Sequence, residues 1–305
     1  MKTALFYYTQ SGQALRAAKS IVRDIDRTAV NEGDDEVVFK VIEPIEEYPF
    51  PWPRYTFFDT FPETRLGMPP SGIKPMNMDD IEDADMVIIV GQSWFLSPSM
   101  PLQSFFLDKK VGEYLKGRPV VFVNVCRNMW LSTIHKVKDN LRDIGARLAG
   151  HIVLQDEAPN LVSLVTIIRW LVYGKKEATR LLPAAGVAAE VIQRSARFGS
   201  IIKTAWQEGK LDQLQDRLLT EGAITYKPSV MFMERTGHRM FGFWAKFIRR
   251  KGGFRDPARH RRVNLFYIYL MTVLILVSPI GQLVFWLTSP LHRSWKRKQD
   301  DCGVL

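Results

Sequence analysis

Five short apolar runs, at 4–8, 37–42, 86–90, 120–125 and 148–154, constrain this chain more than any other feature. None shows the polar alternation of a strand with one wet face. Continuous runs of this kind suit strands buried on both faces. After the first run, Ala14, Leu15, Ala17, Ala18, Ile21, Val22 and Ile25 recur at helical spacing, and similar patterns cover about 101–115 and 130–145. The order is β-α-β, an insertion, then β-α-β-α-β, which predicts a parallel, doubly wound α/β sheet.

The insertion, 44–80, is rich in proline and aromatics (Tyr48-Pro49-Phe50-Pro51-Trp52-Pro53, Phe57-Phe58, Phe61-Pro62), which excludes one long regular helix. The division expected along the chain is an α/β domain over 1–158, a helical extension over 159–230, and a basic, membrane-associated segment over 231–305. Charge follows that division. Residues 1–160 carry a net charge of −4 and the remainder +14, which calls for a polyanionic partner behind the first half.

The hydrophobic pattern selects membrane lipid over nucleic acid as that partner. Leu265 to Thr288 holds no charged residue over about the length of a bilayer span. Arg259, Arg261 and Arg262 precede it, and Arg293, Lys296, Arg297 and Lys298 follow. Pro279 and Gly281 interrupt the run, so a re-entrant or interfacial hairpin competes with a single span. The apolar stretch 161–173 is too short to span and would lie in the interface or cap the core. The start of the chain reads as a first strand and not as a signal peptide, and the two cysteines, Cys126 and Cys302, offer no disulfide framework. The expected place is the cytoplasmic face of a membrane, held by the C-terminal apolar segment.

Three loops carry candidate chemistry. Thr9-Gln10-Ser11-Gly12-Gln13-Ala14 leaves the first strand and opens the first helix, where backbone N–H groups, the Thr9 and Ser11 hydroxyls and the helix dipole favour a phosphate. Gln92-Ser93-Trp94-Phe95 leaves the third strand on the same edge, at the switch point where a flavin would bind, and Trp94 is a candidate for stacking. Cys126-Arg127-Asn128 leaves the fourth strand there and could contact the polar rim of the ring. Cys126 also raises a thiol nucleophile, with His135 or His151 as base. Gly91-Gln92-Ser93 begins like a hydrolase elbow, but Phe95 stands where that turn needs glycine. The histidines lack metal-ligand spacing, so no metal is expected, and no catalytic residue stands out.

Phe6 to Gln13 together with Gly91 to Asp108, including Pro101-Leu102, Phe105-Phe106 and Asp108, resemble the two FMN loops of the flavodoxin-like reductases. The Pro-aromatic insertion, with Phe57-Phe58-Asp59 and Phe61-Pro62-Glu63, looks more narrowly like the dialkylresorcinol condensing enzymes, over residues 1–155. The resemblance implies a five-stranded sheet of order 2-1-3-4-5, FMN as cofactor, and an aromatase-type oxidoreductase. Such an enzyme would oxidise a dialkyl cyclohexanedione, supplied by a ketosynthase-like partner, to a dialkylresorcinol. Ser93 departs from the proline usual in related reductases. The insertion would form an apolar lid for alkyl chains. The competing expectations are a membrane-tethered electron carrier or quinone reductase, and a thiol-based condensing enzyme using Cys126.

Overall fold

The computed structural model describes residues 1–26, 35–53, 55–277, 280–281 and 287–288. The apolar runs form β1 (Lys2–Tyr7), β2 (Glu36–Val41), β3 (Met86–Trp94), β5 (Pro119–Cys126) and β6 (Arg147–Gln155), all paired in parallel. A short strand, β4 (Ser97–Pro98), pairs antiparallel with β3, so the expected five strands in order 2-1-3-4-5 become six, in order β2-β1-β3-β5-β6 with β4 beside β3. The reversal beside β1 is the switch point of a flavodoxin-like sheet. β4 exists because Phe95 and Leu96 turn the chain in two residues, both at positive φ (48° and 61°). That geometry matches strand twist but ordinarily selects Asn-Gly.

Alternate strand residues feed two cores, as the two-residue period of a strand requires. Phe6, Val87, Ile89 and Phe122 face helices α4 (Met100–Leu107) and α6 (Leu131–Ile144). Leu5, Ile88, Val90 and Val123 face α1 (Gln13–Asp26), α8 (Ala189–Arg194), α9 (Ala196–Gln207) and α10 (Leu214–Thr220). The helix expected over 101–115 is two, because Asp108 leaves helical geometry and its Oδ1 accepts Val111 N–H at 3.1 Å, starting α5 (Lys109–Leu115).

The residues after β6 are built into this frame. α9 crosses α1 at Gly199, where a Cβ would stand 2.0 Å from Ile21 O. α10 covers the exposed edge of β6: Gln215 Oε1 accepts His151 N–H at 2.6 Å, and Ala223 O accepts Val153 N–H at 2.8 Å. An edge strand paired in this way offers no template for another chain.

A third core joins the insertion to the C-terminal helices. The insertion forms α2 (Thr56–Asp59) and α3 (Phe61–Leu66), and Phe58 and Phe61 pack against α11 (Pro228–Arg249) and α12 (His260–Thr272). Phe61 and Phe266 stack at 3.7 Å between centroids. α11 also caps α6 from outside: Glu234 accepts Leu131 N–H at 3.2 Å and Ser132 N–H at 2.6 Å. Burial pushes the Glu234 carboxyl up, and these N–H groups oppose it.

Two expectations about the apolar stretch change here. Arg259, placed among the basic residues flanking it, is fully buried. Its Nε donates to Asp59 Oδ1 at 2.7 Å, and its Nη1 and Nη2 donate to Glu63 at 2.7 and 3.0 Å. The stretch itself is not exposed all round in the manner of a lone span. Val263, Phe266 and Leu270 dock into the third core while Leu265 and Ile268 face out, and α12 passes into a π-helical turn at Val273–Val277. Pro279, Arg293, Lys296, Arg297, Lys298 and Cys302 lie outside the described residues.

Candidate functional site

The carboxyl ends of β1, β3 and β5 open onto one cavity of about 250 Å³, near the lower end of small-molecule sites. All three loops singled out in the sequence reach it. Gln10, Ser11 and Gln13 line one end, Gln92 to Phe95 one wall, and Cys126 with Arg127 the rim opposite. Asn128 stands just behind the lining, and Ala14 sits in the α1 core.

The loop after β1 has the backbone of an anion site. Gly12 is left-handed (φ 77°), and the first N–H of the helix to reach a backbone carbonyl is that of Arg16, bonded to Gly12 O at 3.1 Å. The N–H groups before it face the open end of the helix, where the dipole is positive. Thr9 Oγ1 is a buried hydroxyl with no hydrogen-bond partner among the described residues. Gln10 and Gln13 serve the fold instead. Gln10 donates to Tyr48 O and Pro49 O at 3.2 and 3.1 Å and accepts Trp52 Nε1–H at 3.2 Å. Gln13 exchanges two hydrogen bonds with the Val187 backbone, tying the chain after β6 over the loop.

The wall after β3 is aromatic. Trp94 is 6% exposed, with Tyr8, Tyr48, Trp52 and Phe57 edge-on around it at 5.5 to 6.2 Å. Phe57 stacks on Phe95 at 4.6 Å, so the insertion is continuous with the turn whose two left-handed residues hold Phe95 at the cavity. Non-glycine residues in that region cost of order 1–3 kcal/mol each, and such strain gathers at functional sites. Ser93 Oγ lies 2.9 Å from both Asn124 Oδ1 and Thr133 Oγ1. It fastens β3 to β5 and α6.

The rim after β5 is a polar network. Arg127 Nη1 donates to Asn160 O and Oδ1 at 3.1 and 3.0 Å, and Asn128 Nδ2 donates to Asn160 Oδ1 at 2.9 Å. Asp156, just past β6, accepts Ser163 Oγ–H at 2.6 Å and Ala158 N–H at 2.9 Å. Burial lowers the Arg127 guanidinium to about 10 while Asp156 supports its charge, so it remains a cation at neutral pH. Asn128 Oδ1 has no partner among the described residues.

Cys126 does not fit a nucleophile. Burial first, and the Glu234 carboxylate second, push its thiol far above the ordinary range. His151 pairs with Phe122 in the β5–β6 register, four residues before Cys126 and therefore about 13 Å back along the strand. His135 sits on α6, where burial and Lys138 lower its pKa. Among the described residues no group of three His, Cys, Asp or Glu side chains comes together as a metal site would need.

The far half of the cavity came from residues that the sequence did not mark as a site. α7 (Asn160–Tyr173) contributes Leu164, Ile167, Ile168, Trp170 and Leu171, and the end of α12 with its π turn contributes Leu270, Met271 and Leu274. Phe50, Phe57 and Phe58 of the insertion complete it. The available signal was Asn160 opening an apolar run directly after a strand end.

No protein-family profile matches the chain, and no curated protein matches it. Among solved structures, an FMN-bound flavoprotein from Lactobacillus acidophilus NCFM is similar at 17% identity and a TM-score of 0.40, covering 51% of this chain and 93% of its own. A flavodoxin from the domain Archaea is similar at 11% and 0.37, over 70% and 99% of the two chains. A WrbA-like flavodoxin from Agrobacterium tumefaciens is similar at 10% and 0.37, over 67% and 98%. Similarity at this level transfers no function, and the site speaks through its own residues.

Proposed function

We propose that this chain is an FMN-dependent oxidoreductase acting on a hydrophobic, ring-bearing substrate at a membrane surface. One observation carries the reading: an anion-ready helix terminus, an aromatic wall and a cationic rim converge at the switch point on a single cavity whose other half is apolar. The residues fit the cofactor. The unbonded N–H groups after Thr9, with the Thr9 and Ser11 hydroxyls, would hold the phosphate. Trp94 and Phe95 would flank the ring, and Arg127, backed by Asn128 through Asn160, would face its polar edge. When bound, FMN supplies two-electron hydride chemistry.

The protein's own residues then bind and orient. Arg127, fixed by its two bonds to Asn160, would place positive charge at the rim, where it could stabilise a substrate or ring oxygen that gains negative charge. Phe50, Phe57 and Phe58, with the α7 and α12 side chains, exclude water and accept alkyl chains. An electron carrier has no use for an apolar chamber beside its ring, which favours the enzyme reading over the carrier reading.

The finer proposal follows the sequence resemblance: oxidation of a dialkyl cyclohexanedione to a dialkylresorcinol, with two electrons and two protons leaving the ring, and a ketosynthase-like partner supplying the dione. Attachment to the membrane would run through α12 and the helical turns on either side of it, together 21 residues over Pro257–Val277, of whose most apolar stretch only 17% is buried. A core helix would be mostly buried. Because one face of α12 is docked on the insertion, in-plane attachment is the form proposed. The test is anaerobic mixing of the purified flavoprotein with a dialkyl cyclohexanedione. Bleaching of flavin absorbance with formation of one resorcinol per flavin supports the reading, and an unchanged spectrum refutes the aromatase assignment.

A further inference from the structure

Two helices that wall the cavity also carry exposed apolar side chains on their outer faces. On their inner sides, Ile167, Ile168 and Leu171 of α7 face Leu270, Met271 and Leu274 across the cavity. On their outer sides, Val165 is 51% exposed, Ile268 60%, Ile275 53% and Leu276 59%. An exposed apolar patch continuous with the lining of a pocket is what a lipid-facing mouth requires, and water has no reason to fill it. Charge points the same way. Neither α7 nor α12 contains an acidic residue, and exposed Lys175, Lys246, Arg250 and Arg261 stand at or near helix ends, where anionic headgroups would meet them, with Glu177 the one exposed acid beside Lys175.

At 14 residues α7 is about 21 Å long, too short to cross a bilayer and suited to lying in its surface. α12 changes from α to π winding at Val273, where it reaches the cavity. Such a turn loosens the ladder of hydrogen bonds and often marks a functional site. It leaves Leu274 on the cavity side and Ile275, Leu276 and Val277 outside.

We infer that the entrance of the cavity lies between α7 and the π turn at Val273–Val277, which pack side by side, and that it opens into the acyl layer of an anionic bilayer, so that an alkyl-substituted ring enters from lipid and not from water. This rests on the function proposed above. The polar rim around Arg127 receives the ring, and the chains remain between the two helices.

The experiment uses the full chain on phosphatidylcholine vesicles containing phosphatidylglycerol and preloaded with a dodecyl-substituted quinone, which quenches tryptophan. The phase of quenching that disappears in Trp170→Phe reports arrival in the cavity. The expected result is that Ile168→Phe with Leu274→Phe slows this phase about tenfold, within the spread of entry rates among variants of one site, while Leu274→Ala speeds it. An unalkylated quinone added from water should show no such ordering.

Equal rates in all proteins, the same ordering for the unalkylated quinone, or failure to bind the vesicles would overturn the inference, the last pointing to a protein partner over this face. Leu274→Ala keeps the test decisive if the bulkier pair fails to fold. Flavin content, read separately by absorbance, tests the function itself, so a protein with a working entrance and no flavin would refute that reading alone.

Discussion

Removing the Arg259 side chain isolates what holds α12 over the cavity. Arg259→Met keeps most of the stem and deletes the guanidinium, leaving Asp59 and Glu63, 4% and 2% exposed, without their main cation. Breaking a buried pair by removing one partner costs about 3–5 kcal/mol. The lower end applies here, since Arg249 Nε remains 3.5 Å from Glu63 Oε1 and Arg255 N–H still reaches Asp59 Oδ2 at 2.9 Å. A loss of about 3 kcal/mol is roughly a hundredfold in the equilibrium for detaching the helix.

Hydrogen exchange of the full chain in detergent should show that loss as a hundredfold fall in protection confined to α12 and α3, with the sheet unaffected. Because the pair is buried, added salt should change it little. Replacing all three charges together (Asp59→Leu, Glu63→Leu, Arg259→Met) should restore most of the protection, since apolar side chains of similar volume serve as well as a buried ion pair. A single substitution that leaves α12 protection unchanged, or a triple variant as loose as the single, would refute this account of the clamp.

Further outcomes follow from other parts of the molecule. Burial holds His151 neutral down to about pH 3, against an ordinary value near 6.5, and both ring nitrogens lack partners among the described residues. The unfolded chain therefore binds the proton first, so stability is full above about pH 6.5 and falls as pH drops towards 3, by up to about 5 kcal/mol. Urea midpoints across that window should show the fall in the native protein and a shallower one in His151→Phe. Ser11→Trp, at the phosphate end of the cavity, should abolish flavin retention while leaving the melting temperature within a few degrees; unchanged flavin content would contradict the loop assignment. Gly199→Val places a Cβ against Ile21 O and should destabilise by about 1–3 kcal/mol or more through overpacking, seen in the urea midpoint.

The sheet was legible because strands buried on both faces write themselves as unbroken apolar runs, and Val120–Val125 and Met86–Val90 pair as such runs should. β4 was not, since two residues after Phe95-Leu96 carry no pattern, and neither Phe nor Leu advertises a left-handed turn. The site loops were legible in place and less so in use. Gln10 and Gln13 sit where a phosphate loop needs them, but their side chains are committed to Tyr48, Pro49, Trp52 and Val187, contacts that only the tertiary fold creates. Arg259 looked like a lipid-flanking cation because its partners are 200 and 196 residues away. Asp59 and Glu63, two acids at helical spacing among aromatics, were the local sign that a buried cation would come to them.

The absorption spectrum of the full-length protein purified in detergent, with mass identification of whatever small molecule it releases, bears on the cavity without assuming a substrate. The geometry of the three loops predicts one FMN per chain, released on unfolding and lost in Ser11→Trp. A colourless protein that takes up no flavin after incubation with FMN, while its circular dichroism shows the α/β fold intact, would contradict it.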